Sequence, residues 1–243
     1  MSEKITPYKN SALGKKQQIA KMFDTISNEY DGLNRVISFG IDIKWRNKVV
    51  QLVADNIPKN ILDIATGTGD LAINLTKTKA DQIIGLDISE GMLEVGRKKI
   101  LNKKLHKTID MVVGDSENLP FDNNSFDAIT VAFGVRNFEN LELGLAEILR
   151  VLKPGGIFVV LETSVPTKFP FKQGYYLHSN LILPLVGKLF SKDKSAYTYL
   201  SKSASKFPYG IAFNNILGKI GFINSKALPQ TFGVATIYTA TKQ

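Results

Sequence analysis

The stretch ILDIATGTGD, Ile61 to Asp70, runs from apolar residues into a loop of small residues with glycines at 67 and 69. A short apolar run broken by glycine describes a buried strand, and the glycines let backbone come close to whatever lies beyond it. Outward from it, strands and helices alternate. Leu71–Lys77 reads as a helix, Gln82–Asp87 as a strand and Gly91–Leu101 as a helix. Ile109–Val113 and Phe126–Phe133 read as strands, Leu141–Leu152 as a helix, Pro154-Gly155-Gly156 as a turn and Ile157–Thr163 as a strand. Apolar strands separated by helices specify a parallel sheet covered on both faces, in the α/β class.

Toward the N-terminus, residues 1–20 are polar and Lys-rich and read as a flexible arm, and the pattern from about Ala20 to Ala54 is helical, ended by Pro58. Toward the C-terminus, FPFKQGYYLHSNLILPLVGKLF, Phe169 to Phe190, reads as helical with a break at Pro184, and Ser201–Gly218 as helical again. Phe222–Leu228 and Gly233–Thr241 then form a strand hairpin. No internal repeat is visible. The chain has 243 residues, enough for one large domain.

Composition narrows the chemistry. There is no cysteine, which removes disulfides, thiolate nucleophiles and Cys-rich metal sites. With two histidines, no metal site is expected. No apolar run of about 18 residues suggests a spanning helix, and MSEKITPYKNSALGKKQQ lacks the apolar core of a secretory leader; the expected location is cytoplasmic. Lys and Arg exceed Asp and Glu by 31 to 22, a net charge of +9. The densest run, RKKILNKKLHK from Arg97 to Lys107, reads as a solvated helix face, and no zinc-knuckle, RNP or helix-turn-helix signature supports nucleic acid.

In an open parallel sheet, ligands bind beyond the carboxyl ends of the strands. Four such ends carry notable residues: Asp63 with the Gly67-Thr68-Gly69 loop, Asp87, Asp115-Ser116, and Phe133-Gly134-Val135-Arg136-Asn137. Each acid alone could be a helix cap or turn residue. GTGDLA also satisfies G-x-G-x-x-A, so nicotinamide binding has to be weighed. Acids after three successive strands suit a ribose, an adenine and a cationic group better than a pyrophosphate. That points to S-adenosylmethionine.

These residues resemble the class I S-adenosylmethionine-dependent methyltransferases. Their D/E-x-G-x-G-x-G motif corresponds to Asp63–Gly69, with Ala65 in the first glycine position, where only a slightly wider turn is expected. A narrower resemblance covers nearly the whole chain. MFDTISNEYDGLNRVISFGIDIKWR, the F-G-x-R-N element at Phe133–Asn137, and Tyr197-Thr198-Tyr199-Leu200 followed by Phe207-Pro208 are similar to the C-methyltransferases of quinone biosynthesis.

That resemblance implies a single Rossmann-like domain with a mainly parallel seven-stranded sheet and a C-terminal antiparallel hairpin. It also implies a helical lid over 21–56 and a helical substrate-side insertion over 167–220. It implies methylation of a ring carbon of demethylmenaquinol, the last step of menaquinone biosynthesis, or alternatively of 2-methoxy-6-polyprenyl-1,4-benzoquinol in ubiquinone biosynthesis. Asp63, Gly67, Thr68, Gly69, Asp87, Asp115 and Ser116 would hold the cofactor; Ala132 stands where a serine often contacts it. Arg136 and Asn137 are the expected catalytic pair, with a structural ion pair as the other reading of Arg136. Tyr30, Asp31 and Asn34 belong to the lid or substrate side. His178 is a candidate base, although a lone histidine in an aromatic helix more often packs. The Phe169–Phe190 stretch would form a groove for the polyprenyl chain, a peripheral contact with an anionic membrane, or a core or homodimer contact. A nicotinamide dehydrogenase and a basic RNA- or lipid-binding module on a degenerate fold are the competing classes.

Overall fold

The computed structural model describes residues 5–8, 10–177 and 193–243. Three helices come first: α1 (Lys15–Ile26), α2 (Tyr30–Ile37) and α3 (Ile41–Ala54). The central alternation is β1 (Asn60–Ile64), α4 (Asp70–Leu75), β2 (Gln82–Asp87), α5 (Glu90–Asn102), β3 (Ile109–Val113), β4 (Phe126–Ala132), α6 (Leu141–Val151) and β5 (Leu152–Thr163). Then come α7 (Phe171–Leu177), α8 (Lys194–Lys206), α9 (Ile211–Ile220), β6 (Ile223–Gln230) and β7 (Ala235–Thr241).

The seven described strands lie in the order β3-β2-β1-β4-β5-β7-β6. β1 to β5 run parallel, and β7 is antiparallel to both β5 and β6. The order reverses beside β1, the crevice where open α/β sheets bind ligands. Leu62, Ile64, Ile129 and Val131 point into one apolar layer with Leu145, Ile148, Phe213 and Leu217 of α6 and α9. Ile61, Ala128, Val159 and Ile237 point into the other with Trp45, Val49 and Val53 of α3. Alternation along each strand is therefore what covers both faces.

Local signals set the helix starts. Ser89 accepts from the Met92 amide and Asn140 from the Leu143 amide, capping α5 and α6. α1 is tied to α5 by a similar device. Asp24 of α1 accepts from the Ser89 hydroxyl at 2.6 Å and the Gly91 amide at 2.9 Å, placing a carboxylate at the N-terminus of α5. Ile19, Met22, Ile26 and Leu33 bury against Met92 and Tyr199 as a third apolar cluster.

Four readings change. α1 begins at Lys15, so residues 15–20 are helical and not part of a loose arm. Pro154-Gly155-Gly156 is a bulge inside β5: Phe126 faces Leu152, the next matched pair is Ala128 with Ile157, and Gly155 takes φ +76. The helix read over Ser201–Gly218 is two helices, broken at Phe207–Gly210. α9, counted in the substrate-side insertion, packs on α6 and β6 in the main helix layer. Of the Phe169–Phe190 stretch, Phe171–Leu177 is helical and 178–190 lies outside the described residues.

Candidate active site

Three cavities meet above the carboxyl ends of β1, β2 and β4, and Tyr30 lines all of them. The first is a cleft of about 680 Å3 walled by Gly67, Asp87, Asp115, Ser116, Glu117, Phe133 and Asn137 and roofed by Lys16, Ile19 and Phe23 of α1. Asp87 is 8% exposed. Its two oxygens accept from the Gly67 amide at 2.8 Å and the Ser89 amide at 2.9 Å. Burial raises the Asp87 carboxyl above the ordinary range, and those amides act against the rise. Asp115 accepts from the Glu117 amide at 2.9 Å and pairs with Lys16 at 2.7 Å, and Lys16 also reaches Glu117 at 2.9 Å.

The glycine loop is built from below. Asp63 is 1% exposed and receives the hydroxyls of Thr66 and Thr130, each at 2.6 Å. Burial lifts its carboxyl from 3.8 to about 6, against those hydroxyls and the Arg46 charge. Gly69 caps α4 with φ +78. Ala65 does not merely widen the turn. It is left-handed, φ +52, and a Cβ on Gly134 would stand 2.5 Å from its own. A side chain where the motif has glycine thus requires a glycine at the end of β4.

Asp63 and Thr68 lie outside the cleft and line a smaller cavity of about 360 Å3 with Asp31, Arg46 and Asp70. The Thr68 hydroxyl donates to Asp31 at 2.6 Å. Lys99 of α5 reaches Asp31 at 2.8 Å, Asp70 at 2.5 Å and the Thr68 hydroxyl at 3.2 Å. Burial pushes the Asp70 carboxyl up, and Lys99, with the charges of Arg46 and Arg35, more than offsets it, so Asp70 titrates below its ordinary value. Arg35 joins Asp70 at 2.7 Å and also pairs with Asp42. One ionic chain therefore links α5, the glycine loop, α2 and α3.

The third cavity, about 930 Å3, is mostly apolar, with Ile37, Trp45, Phe133, Tyr175, Leu200, Ala204 and Val234 in its wall. Tyr30, Asn34, Asp42, Arg46 and Arg136 supply its polar groups. Burial raises the Tyr30 phenol, while a hydrogen bond from Asn34 and the charges of Arg136 and Arg46 act to lower it. Arg136 pairs with the fully buried Glu162 of β5 at 2.5 Å. Burial would lower the Arg136 guanidinium, and Glu162, with Tyr30 and Tyr199, more than offsets that, so it is held above its ordinary value.

The predicted residues thus separate by cavity. Asp87, Asp115, Ser116 and Asn137 share the cleft, and Asn137 accepts from the Tyr199 hydroxyl at 3.2 Å. Arg136 faces the apolar cavity and is also the ion pair weighed against catalysis. His178 lies outside the described residues. Arg46 was read only as part of the family-like N-terminal stretch, and Lys16, Arg35, Lys99 and Glu162 were not singled out. Lys99 had a readable signal, since it follows the buried Met92 and Gly96 by seven and three residues on the inward stripe of a basic helix.

This sheet order, with a glycine loop and acids at successive strand ends, defines a class I S-adenosylmethionine-dependent methyltransferase fold. A methyltransferase structure from Thermotoga maritima shares it at TM-score 0.60 and 20% identity, over 93% of this chain and 100% of that one. The [4+2]-cyclase SpnF shares it at TM-score 0.61 and 16% identity, over 93% and 96%; a cyclase on this scaffold means that fold alone does not define the reaction. The chain belongs to the ubiE/COQ5 methyltransferase family, whose model matches residues 11–242. A relative named demethylmenaquinone methyltransferase from Bacteroides fragilis is 47% identical over 242 residues, 99% of this chain and 98% of the relative. Another of that name from Porphyromonas gingivalis is 40% identical over the same shares. The Geobacter sulfurreducens protein named ubiquinone/menaquinone biosynthesis C-methyltransferase UbiE is 41% identical over 98% of this chain and 93% of its own.

The cleft fits the cofactor of that class. Asp87, Asp115 and Glu117 give it an acidic rim, and its one cation among the described lining residues, Lys16, is held by two of them. A cationic nucleoside is accommodated there and a pyrophosphate is repelled. Among the described residues no His/Cys/Asp/Glu group could hold a metal ion, and no helix is long and apolar enough to cross a membrane.

Proposed function

We propose that this methyltransferase acts on demethylmenaquinol, placing a methyl group from S-adenosylmethionine on the open carbon of its quinol ring as the last step of menaquinone biosynthesis. One observation carries the reading: a mostly apolar cavity shares Tyr30 and Phe133 with the acidic cleft, which sets an apolar ring beside the methyl donor. The names of the full-length relatives support it.

When bound, the cofactor supplies an electrophilic methyl group on a sulfonium. The chain's own residues supply the rest. Asp87 receives the ribose hydroxyls, and Asp115 with Ser116 faces the adenine. Phe133 and Trp45 present apolar faces to the quinol ring. The ring carbon becomes nucleophilic as its neighbouring hydroxyl loses its proton to solvent, and Arg136, positioned by Glu162, stabilises the developing phenolate; once the carbon is methylated, its own hydrogen leaves as a proton to solvent and the ring regains its aromaticity. Asn137, in the cofactor cleft with its carbonyl fixed by Tyr199, orients the methyl donor toward that ring. Tyr30 partitions the two cavities and aligns ring and methyl group. An exposed apolar rim at Phe169, Leu177 and Phe232 would let the enzyme take its substrate from an anionic membrane.

The test is methyl transfer from labelled S-adenosylmethionine to chemically reduced demethylmenaquinone in detergent, with the reduced benzoquinone precursor in parallel. Label in the naphthoquinol alone supports the reading. Label in the benzoquinol alone moves the substrate to the ubiquinone side. Label in neither, with cofactor still bound, rejects the quinol assignment.

A further inference from the structure

The apolar cavity contains two buried guanidiniums. The Arg136 side chain is 8% exposed and the Arg46 side chain 9%. Each has one counterion: Glu162 for Arg136 and Asp42 for Arg46, both at 2.5 Å. Each also has a buried Nε with no hydrogen-bond partner among the described residues. Glu162 Oε2, beside Arg136, is likewise buried without a partner, so the Arg136 pair leaves over one donor and one acceptor, while at Arg46 a donor alone is left over, which is costly unless an acceptor arrives from outside the chain.

Arg46 is held in place for such an acceptor. Asp42, its partner, is fixed by the Ser38 hydroxyl at 2.8 Å and by Arg35. Its guanidinium carbon lies 5.4 Å from the centre of the Phe133 ring, a geometry that orients the planar fork. Arg46 and Arg136 both line the apolar cavity with Tyr30, and Tyr30 also lines the acidic cleft, so both guanidiniums share a wall with the residue common to the two cavities.

Resting on the quinol reading above, we propose that Arg46 receives the second ring oxygen of the substrate, para to the one at Arg136, and makes the enzyme selective for a 1,4-diol. An aromatic 1,4-diol presents its oxygens on opposite edges, beyond the span of one guanidinium. Any open carbon of that ring is ortho to one oxygen and meta to the other. The meta oxygen contributes little to its nucleophilicity. Recognition of that oxygen therefore governs orientation, by fixing which carbon meets the methyl group, and Arg46 acts as a specificity-determining residue.

The experiment compares the reduced prenyl-naphthoquinol with the 1-naphthol that carries the same prenyl group at carbon 3 and lacks the 4-hydroxyl. Wild-type enzyme, Arg46→Gln and the charge-neutral Arg46→Gln/Asp42→Asn are assayed with labelled S-adenosylmethionine, and cofactor Kd is read by calorimetry. In the single variant Asp42 keeps Arg35 and Ser38, and the double variant removes the excess buried negative charge that the loss of Arg46 leaves there. Wild type should favour the diol in kcat/KM by roughly 10- to 100-fold, the range for one charge-assisted hydrogen bond. Both variants should lose that factor on the diol, keep their activity on the mono-ol, and bind the cofactor normally. Equal losses on the two substrates, or a loss traced to cofactor Kd, overturns the role of Arg46 alone. Wild type inactive on both compounds overturns the quinol reading, and this inference with it.

Discussion

The Arg136–Glu162 pair combines a structural and a chemical function in one contact, and the two separate by mutation. Arg136→Ala leaves Glu162 buried without its counterion, which costs about 3–5 kcal/mol of stability. The double variant Arg136→Gln/Glu162→Gln removes both charges and should recover most of that loss in a thermal melt. Its turnover should stay down by roughly 100-fold or more, because the phenolate still lacks its cation. Recovery of both would reduce Arg136 to a structural ion pair. Asp63 offers a second test. Its folded carboxyl is raised from 3.8 to about 6, so its contribution to stability is full below about 3.8 and is lost as pH rises through about 6. The Tm of Asp63→Asn relative to wild type should therefore increase steadily from pH 4 to pH 6.5; a pH-independent difference would contradict a raised carboxyl. Asp87 and Asp115 were legible in the sequence because an acid at a strand's carboxyl end has only the crevice to face. Asp63 and Thr68 carry the same chemistry but turn toward Thr66, Thr130 and Asp31. Partners up to 67 residues away decided that, and no local pattern encodes them.

Strands and central helices were legible almost to the residue, since apolar alternation and caps are local. The lid's attachment was not. α2 is held over the glycine loop by Lys99, which places one ammonium between Asp31 and Asp70. Its residue sits in a basic run whose neighbours Lys98, Lys103 and Lys104 are solvated, and the run hides it. Lys99→Met leaves two carboxylates facing each other beneath Tyr30. Cofactor binding should weaken about tenfold, as expected for losing part-buried charge-assisted bonds. Lys99→Arg should restore most of it, as should adding Asp31→Asn. Calorimetry on these variants separates a positioning role from general instability, because a merely structural lysine would lower Tm without rescue by removal of the opposing charge.

At the scale of the whole molecule, a net positive charge accompanies an exposed apolar patch. The chain carries +9, and Phe169, Leu177 and Phe232 are 80%, 60% and 69% exposed, with Phe171 stacked on Phe232 between them. Flotation with anionic vesicles at low salt should carry the enzyme upward, and Phe169→Ser/Phe232→Ser should leave most of it at the bottom. Absence of wild-type flotation would remove the membrane contact and leave the cavity chemistry untouched.

The strand order has a consequence for how the molecule tolerates a cut. β7 lies inside the sheet, bonded to β5 on one side and β6 on the other. Trp45 of α3 depends on the same segment, donating to Thr231 at 2.8 Å across 186 residues. Without residues 231–241, β5 has an open edge, β6 has no neighbour and α3 lacks one anchor. A break in the chain just before Thr231 would therefore open the sheet and loosen the wall of the apolar cavity together, at two places far apart in sequence.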